Sequence, residues 1–271
     1  MTPTVRPYRM VVTDIDGTLV DLEQMISERN KNTIHTFQRQ GGIVTLATGR
    51  MEDAVHHFAK ELDIRHPVIL YNGGKIVDLT TGECLFEAKL TEEVVRKAIQ
   101  LQQNVSLDMI FYSERKLWVK EITPTISTYM KKDRVQCLEW DSPDFLLKGN
   151  VNKILIIREE QDFTAVLDVF LPVMGIECEL VQSESTYLEI LPQAVSKGNA
   201  LKLLVDRMGI AMQEVIAIGD NLNDLEMIRE AGLGVAVDNA HPKLKVEAQY
   251  IANSHLNHAV AEVIEKYCLQ K

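Results

Sequence analysis

Met10-Val11-Val12-Thr13-Asp14-Ile15-Asp16-Gly17-Thr18 is the stretch on which the fold turns. Its opening is apolar and β-branched and runs into a glycine-containing turn, the pattern of a short buried strand. In extended chain residues i and i+2 face the same way, so Asp14 and Asp16 reach one pocket beyond the strand's end. Gly17 lets the backbone bend away without a Cβ clash. Two carboxylates aimed at one point repel, by roughly 4 kcal/mol at about 4 Å and an effective dielectric near 20. A divalent cation, or a proton on one acid, must offset that repulsion, and either serves chemistry on a phosphate.

Working outward, the same rhythm recurs. Ser27 caps a helix through Gln40 that Gly41-Gly42 ends. Ile43 to Ala47 reads as a second buried strand, followed by Thr48-Gly49-Arg50 and a helix to Leu62. Val68 to Tyr71 is a third strand, ending at Asn72-Gly73-Gly74. Strand–helix–strand with short links implies a parallel sheet covered by helices on both faces. The last third resumes it: a helix from Lys197 to Met208, a strand from Val215 to Ile218, the loop Gly219-Asp220-Asn221, a helix from Asp224 to Glu230, a strand from Leu233 to Val237. His255 to Tyr267 reads as a closing amphipathic helix.

The middle differs. Leu107–Tyr112 and Lys116–Val119 suggest antiparallel strands around Ser113-Glu114. Lys153–Ile157 is a strand, Phe163–Val173 a helix, and Glu177–Val181 with Tyr187–Ile190 a second hairpin. The fold class expected is α/β: a parallel-sheet core formed by residues 1–82 and 192–271, with an α+β domain of residues 83–191 inserted between its halves.

Bulk properties narrow the function. A chain of 271 residues, 46% hydrophobic, can bury a full core. Its net charge of −10 argues against nucleic acid as a partner. No stretch reaches the length of a membrane span, and Thr2-Pro3-Thr4 does not open a signal peptide, so the expected compartment is the cytoplasm, with no membrane partner. Cys84, Cys137, Cys178 and Cys268 are far apart and read as reduced, mostly buried residues.

In parallel sheets, ligands bind where the strands' carboxyl ends converge. Asp14 and Asp16, then Thr48 and Gly49, then Asp220, Asn223 and Asp224 all fall at such ends, and Lys197 opens the helix before the strand that delivers Asp220. Together they supply anionic metal ligands, phosphate-binding hydroxyl and N–H groups, and a fixed cation, an inventory suited to phosphoryl transfer. Each alone has a plainer reading: an acidic turn, a threonine cap, a solvated first-turn lysine. Asn72 could serve the turn or face the pocket. His56-His57, His241, His255 and His258 read as structural, Trp118 and Trp140 as packing, and Arg50 as a helix-surface ion pair or a ligand contact.

The order D-x-D-G-T, A-T-G-R, S-K-G, G-D-N-x-N-D-x-x-M resembles the haloacid dehalogenase superfamily, and more narrowly its Cof-type (subfamily IIB) phosphatases. Asn72-Gly73 and Asn239-Ala240 also match. The resemblance implies a Rossmann-like core with an inserted cap of type C2B and a small phosphorylated metabolite as substrate. It makes Asp14 the nucleophile and Asp16 the general acid and base. Mg²⁺ would be held by Asp14, the Asp16 carbonyl and Asp220, with Asp224 supporting the metal site. Thr48, Gly49, Lys197, Asn223 and Asn72 would hold phosphate or substrate. Sugar phosphates, flavin mononucleotide or its precursor, and pyridoxal phosphate are the substrates implied. A phosphomutase of the same fold and a non-catalytic sugar-phosphate-binding regulator are the alternatives. The expected state is a monomer or weak homodimer.

Overall fold

Hydrophobic strands set the first layer. In the computed structural model, which describes residues 8–158 and 162–269, five of them lie in the order Tyr250–Ala252, Leu233–Val237, Val215–Gly219, Met10–Thr13, Ile43–Leu46. Every pairing is parallel. The strands at 10–13, 215–219 and 233–237 are buried along their whole length, as a sheet covered on both faces requires. The opening Thr2-Pro3-Thr4 lies outside the described residues.

Met10–Thr13 sits inside the sheet, with Ile43–Leu46 on one side and Val215–Gly219 on the other. The chain thus leaves its first strand toward one neighbour and returns much later on the opposite side. That reversal of strand order opens a crevice at the carboxyl ends. Asp14 follows one of these strands directly and Asp220 another.

Helix Glu28–Arg39 starts where expected, with the Ser27 side chain accepting from the Asn30 N–H. It lies against helix Ala259–Tyr267. Asn30, fully buried between them, donates to the Leu19 carbonyl and accepts from the Ala261 N–H. A polar side chain survives in this interface because it is satisfied at both ends.

The third strand departs from expectation. Val68–Leu70 pairs antiparallel with Lys75–Val77 in a separate three-stranded sheet. It touches the central sheet through one parallel bridge, Ala47 to Ile69. The chain reverses at once after Leu70, with Tyr71 and Asn72 both left-handed, so the strand closes a hairpin instead of joining the parallel sheet as expected. The closing helix is also shorter. His255–Asn257 is a 3₁₀ turn, and left-handed His258 breaks it from the α-helix that follows. Helix Pro242–Glu247 and strand Tyr250–Ala252 go beyond the elements expected from sequence.

The chain divides into two compact units. One runs through Gly49, then Val55–Leu85 and everything from Ser196; the other comprises Arg50–Ala54 and Phe86–Val195. The breaks lie a few residues beyond the expected 82/83 and 191/192. Assignment of Arg50–Ala54 to the second unit has no forerunner in the sequence pattern.

The second unit holds a six-stranded sheet in the order Cys178–Glu184, Tyr187–Pro192, Val151–Ile157, Asp108–Ser113, Lys116–Val119, Cys137–Glu139. All neighbours are antiparallel except the last pair. Glu114 and Arg115 carry the tight turn between strands 108–113 and 116–119, both with positive φ. Helices Glu92–Asn104, which the sequence analysis does not assign, and Thr164–Phe170 bury Met109, Phe111, Ile154, Ile156, Leu188 and Ile190. Trp118 and Trp140 pack against this cluster, as expected. The alternate residues carry a buried polar group instead: Lys153 Nζ lies 3.0 Å from Glu189 Oε2, and Ser183 donates to the other Glu189 oxygen at 2.8 Å.

Candidate active site

Strand geometry places the acids. Asp14 N–H donates to the Ile218 carbonyl at 2.9 Å, so the ladder between the two strands continues one residue past Thr13. Asp14 as a residue is 6% exposed. Gly17 follows in the left-handed region at φ 73°, and a Cβ there would lie 2.5 Å from Asp220 Oδ2. Only glycine lets the turn after Asp16 press this closely on the loop that carries Asp220.

Lys197 is completely buried, which excludes the solvated first-turn reading. Its Nζ lies 2.7 Å from Asp14 Oδ1 and 2.6 Å from Asp224 Oδ1. The Ser196 side chain caps its helix by accepting from the Asn199 N–H. Asp224, also fully buried, accepts through Oδ2 from the N–H groups of Asp220 and Asn221 at 2.9 and 3.0 Å. The lysine therefore links the first strand's acid to the loop after strand Val215–Gly219.

Carboxylate oxygens of Asp14, Asp220 and Asp224 all lie within 4.8 Å of one another. Burial foremost, with the charges of Asp224 and Asp16, raises the Asp14 carboxyl to about 7 against the opposing pull of Lys197. Asp220 is held well above the ordinary carboxylate range by burial and by Asp14 and Asp224. Burial works against the Lys197 ammonium, but Asp14 and Asp224 outweigh it and hold the group above its ordinary value. Three acids thus share one lysine, and without a further cation protons take up the excess. A buried, all-oxygen donor set of this kind fits a hard divalent cation.

The remaining expected residues form an adjoining group. Thr48, 1% exposed, donates its N–H to the Ile69 carbonyl and accepts from the Asn72 N–H, both at 2.9 Å. Asn72 is buried with φ 55°, and its Oδ1 accepts from Asn223 Nδ2 at 3.0 Å. Its amide occupies the space a Cβ on Gly49 would need. Gly73, at φ 103°, lets the next turn meet the Ser196 carbonyl, 2.1 Å from where a Cβ would stand. Asn72 therefore faces inward rather than merely closing a turn.

Asp14, Lys197, Asp220 and Asp224 thus share one cluster, and Thr48, Gly49, Asn72 and Asn223 share the next. The Asp16 carboxylate stands outside the close trio while its charge still acts on Asp14. Two residues of the site carry no expectation from sequence. The Thr18 hydroxyl donates to Asp220 Oδ1 at 3.0 Å. Asn239 donates to the Gly17 carbonyl at 2.8 Å and accepts from the His255 N–H at 3.0 Å. Both sit in stretches already singled out, the D-x-D-G-T run and the Asn-Ala pair. Arg50 is buried, 7% exposed, rather than on a helix surface.

The model of the haloacid dehalogenase-like hydrolase family matches residues 11–264. The chain belongs to that family. Among haloacid dehalogenase-like relatives, it is 28% identical over 262 residues to the 5-amino-6-(5-phospho-D-ribitylamino)uracil phosphatase YcsE of Bacillus subtilis (strain 168), covering 96% of each chain. It is 27% identical over 245 residues to an HMP-PP phosphatase of Shigella boydii serotype 4 (strain Sb227), covering 90% of this chain and 93% of that one. A haloacid dehalogenase-like hydrolase of Bacteroides thetaiotaomicron superposes with a TM-score of 0.84 at 31% identity, over 96% of this chain and 99% of the other. The subclass IIB sugar phosphatase BT4131 shares the fold at a TM-score of 0.85 and 20% identity, over 97% and 100% of the two chains. The α/β core and inserted domain are those of this group.

Proposed function

We propose that the chain hydrolyses small phosphomonoesters with Mg²⁺, Asp14 acting as nucleophile and Asp16 as general acid and base. It is a phosphoric monoester hydrolase by family and by the phosphatases among its relatives. The observation that carries the assignment of roles is the buried line Asp14–Lys197–Asp224 beside Asp220. A carboxylate so deeply buried would stay protonated and unreactive without the ammonium 2.7 Å away.

In this reading an Asp14 oxygen attacks phosphorus as the bond to the alcohol oxygen breaks, and Asp16 gives that oxygen its proton. Asp16 then takes a proton from the water that attacks the aspartyl-phosphate, which frees inorganic phosphate and restores Asp14. Lys197, Thr48 and the Gly49 N–H hold the phosphoryl oxygens, with Asn223 and Asn72 at the rim. Asp14 and Asp220 with the Asp16 carbonyl would hold the Mg²⁺. When bound, the ion neutralises charge on the phosphoryl group and so lets a dianion enter an acidic pocket.

The inserted domain is proposed to set which alcohol leaves, as a domain that excludes water and contacts the substrate beyond its phosphate. A panel of sugar phosphates, flavin mononucleotide, 5-amino-6-(5-phospho-D-ribitylamino)uracil and pyridoxal phosphate tests the reading. Phosphate release is expected with Mg²⁺ and not with EDTA. Asp14→Asn is expected to abolish turnover, and Asp16→Asn to slow it while phosphate still binds. Robust phosphatase activity in pure Asp14→Asn protein would overturn the assignment.

A further inference from the structure

At the opposite end of strand Ile43–Leu46, away from Thr48, the structure contains a cavity of about 470 Å³. Five residues of extended chain separate Ile43 from Thr48, roughly 16 Å. The cavity is therefore not part of the cluster around Asp14. His35 and Arg39, one helical turn apart on helix Glu28–Arg39, form one wall. Asp63, Arg65 and His66, from the link before strand Val68–Leu70, form the other. Gly41 and Gly42 leave the mouth without side chains.

Two features mark this cavity as built to receive a ligand. The Nε2 of His35 is buried and has no hydrogen-bond partner. A buried polar atom left unpaired costs about 1–3 kcal/mol, and a turn of the ring toward the cavity would let a ligand atom relieve it. The second feature is charge. In a protein of net charge −10, two guanidinium groups and two imidazoles surround a single carboxylate. Arg65 spends its Nε and Nη2 on Asp63, and Arg39 spends Nη2 on Thr36. Five donors per guanidinium leave others for an incoming acceptor. Gln38 ties the wall together by donating to the Leu62 and Asp63 carbonyls at 3.0 and 3.2 Å.

We propose that this cavity is a second ligand site, distinct from the catalytic cluster, for a phosphorylated metabolite of nucleotide size. Its volume lies within the range of small-molecule pockets, about 300–1,000 Å³, and far exceeds the space that a bare phosphate fills. The arginines and His66 take the anionic group, and His35 Nε2, once its ring turns toward the cavity, meets a polar atom of the organic body. No carboxylate trio of metal-ligand spacing occurs here among the described residues, which favours an organic anion over a cation.

Imidazole NMR of the full chain reads the site directly. EDTA is present to prevent turnover, and the signals are assigned with His35→Gln and His66→Gln. AMP is the probe, with adenosine and inorganic phosphate as partial probes. Saturable shifts of both the His35 and His66 signals are expected below about 10 mM AMP. Inorganic phosphate should move His66 more than His35, and adenosine should bind much more weakly than AMP. The variant R39E/R65E, altered only at exposed arginines, should weaken AMP binding by about tenfold or more and leave phosphatase turnover unchanged. Absence of any shift, equal binding of adenosine and AMP, or full binding by R39E/R65E would each overturn the proposal. None of these results depends on the catalytic assignment.

Discussion

Replacing Lys197 by Met removes the ammonium from between two buried carboxylates while keeping most of the side chain's volume. Removing one partner of a buried ion pair costs about 3–5 kcal/mol, because the other charge is left uncompensated. Here the cost falls at the lower end for a structural reason. Asp14, already pushed up to about 7, takes a proton near neutral pH and so escapes burial as an anion. Asp224 keeps the two backbone N–H groups on its Oδ2. About 3 kcal/mol in a chain of this size lowers Tm by roughly 6–12 °C. The loss should be read by calorimetry in EDTA, where only the chain's own charges act. A divalent ion should then stabilise the variant more than the wild type, because the ammonium no longer competes for the carboxylates. Turnover should fall by about a hundred- to a thousand-fold, the scale of losing one fixed charge-stabilising group. A variant that melts with the wild type in EDTA and keeps its turnover would refute the ion-pair reasoning.

Three other outcomes follow from the same geometry. Asp14 binds its proton more tightly when folded, so in EDTA its contribution to stability is lost as pH rises from its ordinary 3.8 through about 7; the difference in Tm between wild type and Asp14→Asn, followed across that window, should shrink or change sign. Gly17→Ala forces a left-handed alanine onto Asp220 and should cost about 1–2 kcal/mol and well over half the turnover, whereas Gly209→Ala, left-handed but with open space around it, should cost stability alone. Cys84 should react with a thiol reagent in the folded protein while Cys137 and Cys178, buried and pushed up to about 11, stay unmodified at pH 8 until it unfolds; quantifying labelled peptides tests this.

The core was legible in sequence because its signals are local. Helix Lys197–Met208 and strands Lys116–Val119 and Leu233–Val237 fall where the hydrophobic pattern puts them. Buried parallel strands are continuous apolar runs, and Ser27 and Ser196 are caps whose side chains do what their type suggests. Partnership between strands was not legible. Val68–Leu70 has the composition of a fully buried strand, yet pairing is decided by the left-handed pair at Tyr71 and Asn72; Asn72-Gly73 marks a turn, but nothing in Tyr71 announces that the turn closes a hairpin. In the site, residue types were readable and burial was not. Lys197 in a first helical turn is usually solvated; what buries it is Asp14 on one side and Asp224 on the other, 183 and 27 residues away. Thr18 and Asn239 were quoted without a role because their partners, Asp220 and the Gly17 carbonyl, are likewise distant in the chain.

Hydrogen bonding also grades the three clustered acids by their capacity for a cation. A carboxylate offers about four lone-pair sites. Asp224 commits three, to Lys197 and to the N–H groups of Asp220 and Asn221, which fixes it in place and leaves it little to offer an ion. Asp220 commits one to Thr18, and Asp14 one to Lys197. The open oxygens therefore belong to Asp14 and Asp220, the residues at the ends of two adjacent, fully buried strands. Such strands are the most rigid supports the fold possesses, and a metal ion that must be held against phosphate repulsion gains most from ligands on rigid supports. Asp224 acts one step back: it draws the lysine to Asp14 and braces the loop that presents Asp220. Three acids face one lysine, and that excess of carboxylate over ammonium is what would hold a divalent cation in place of protons.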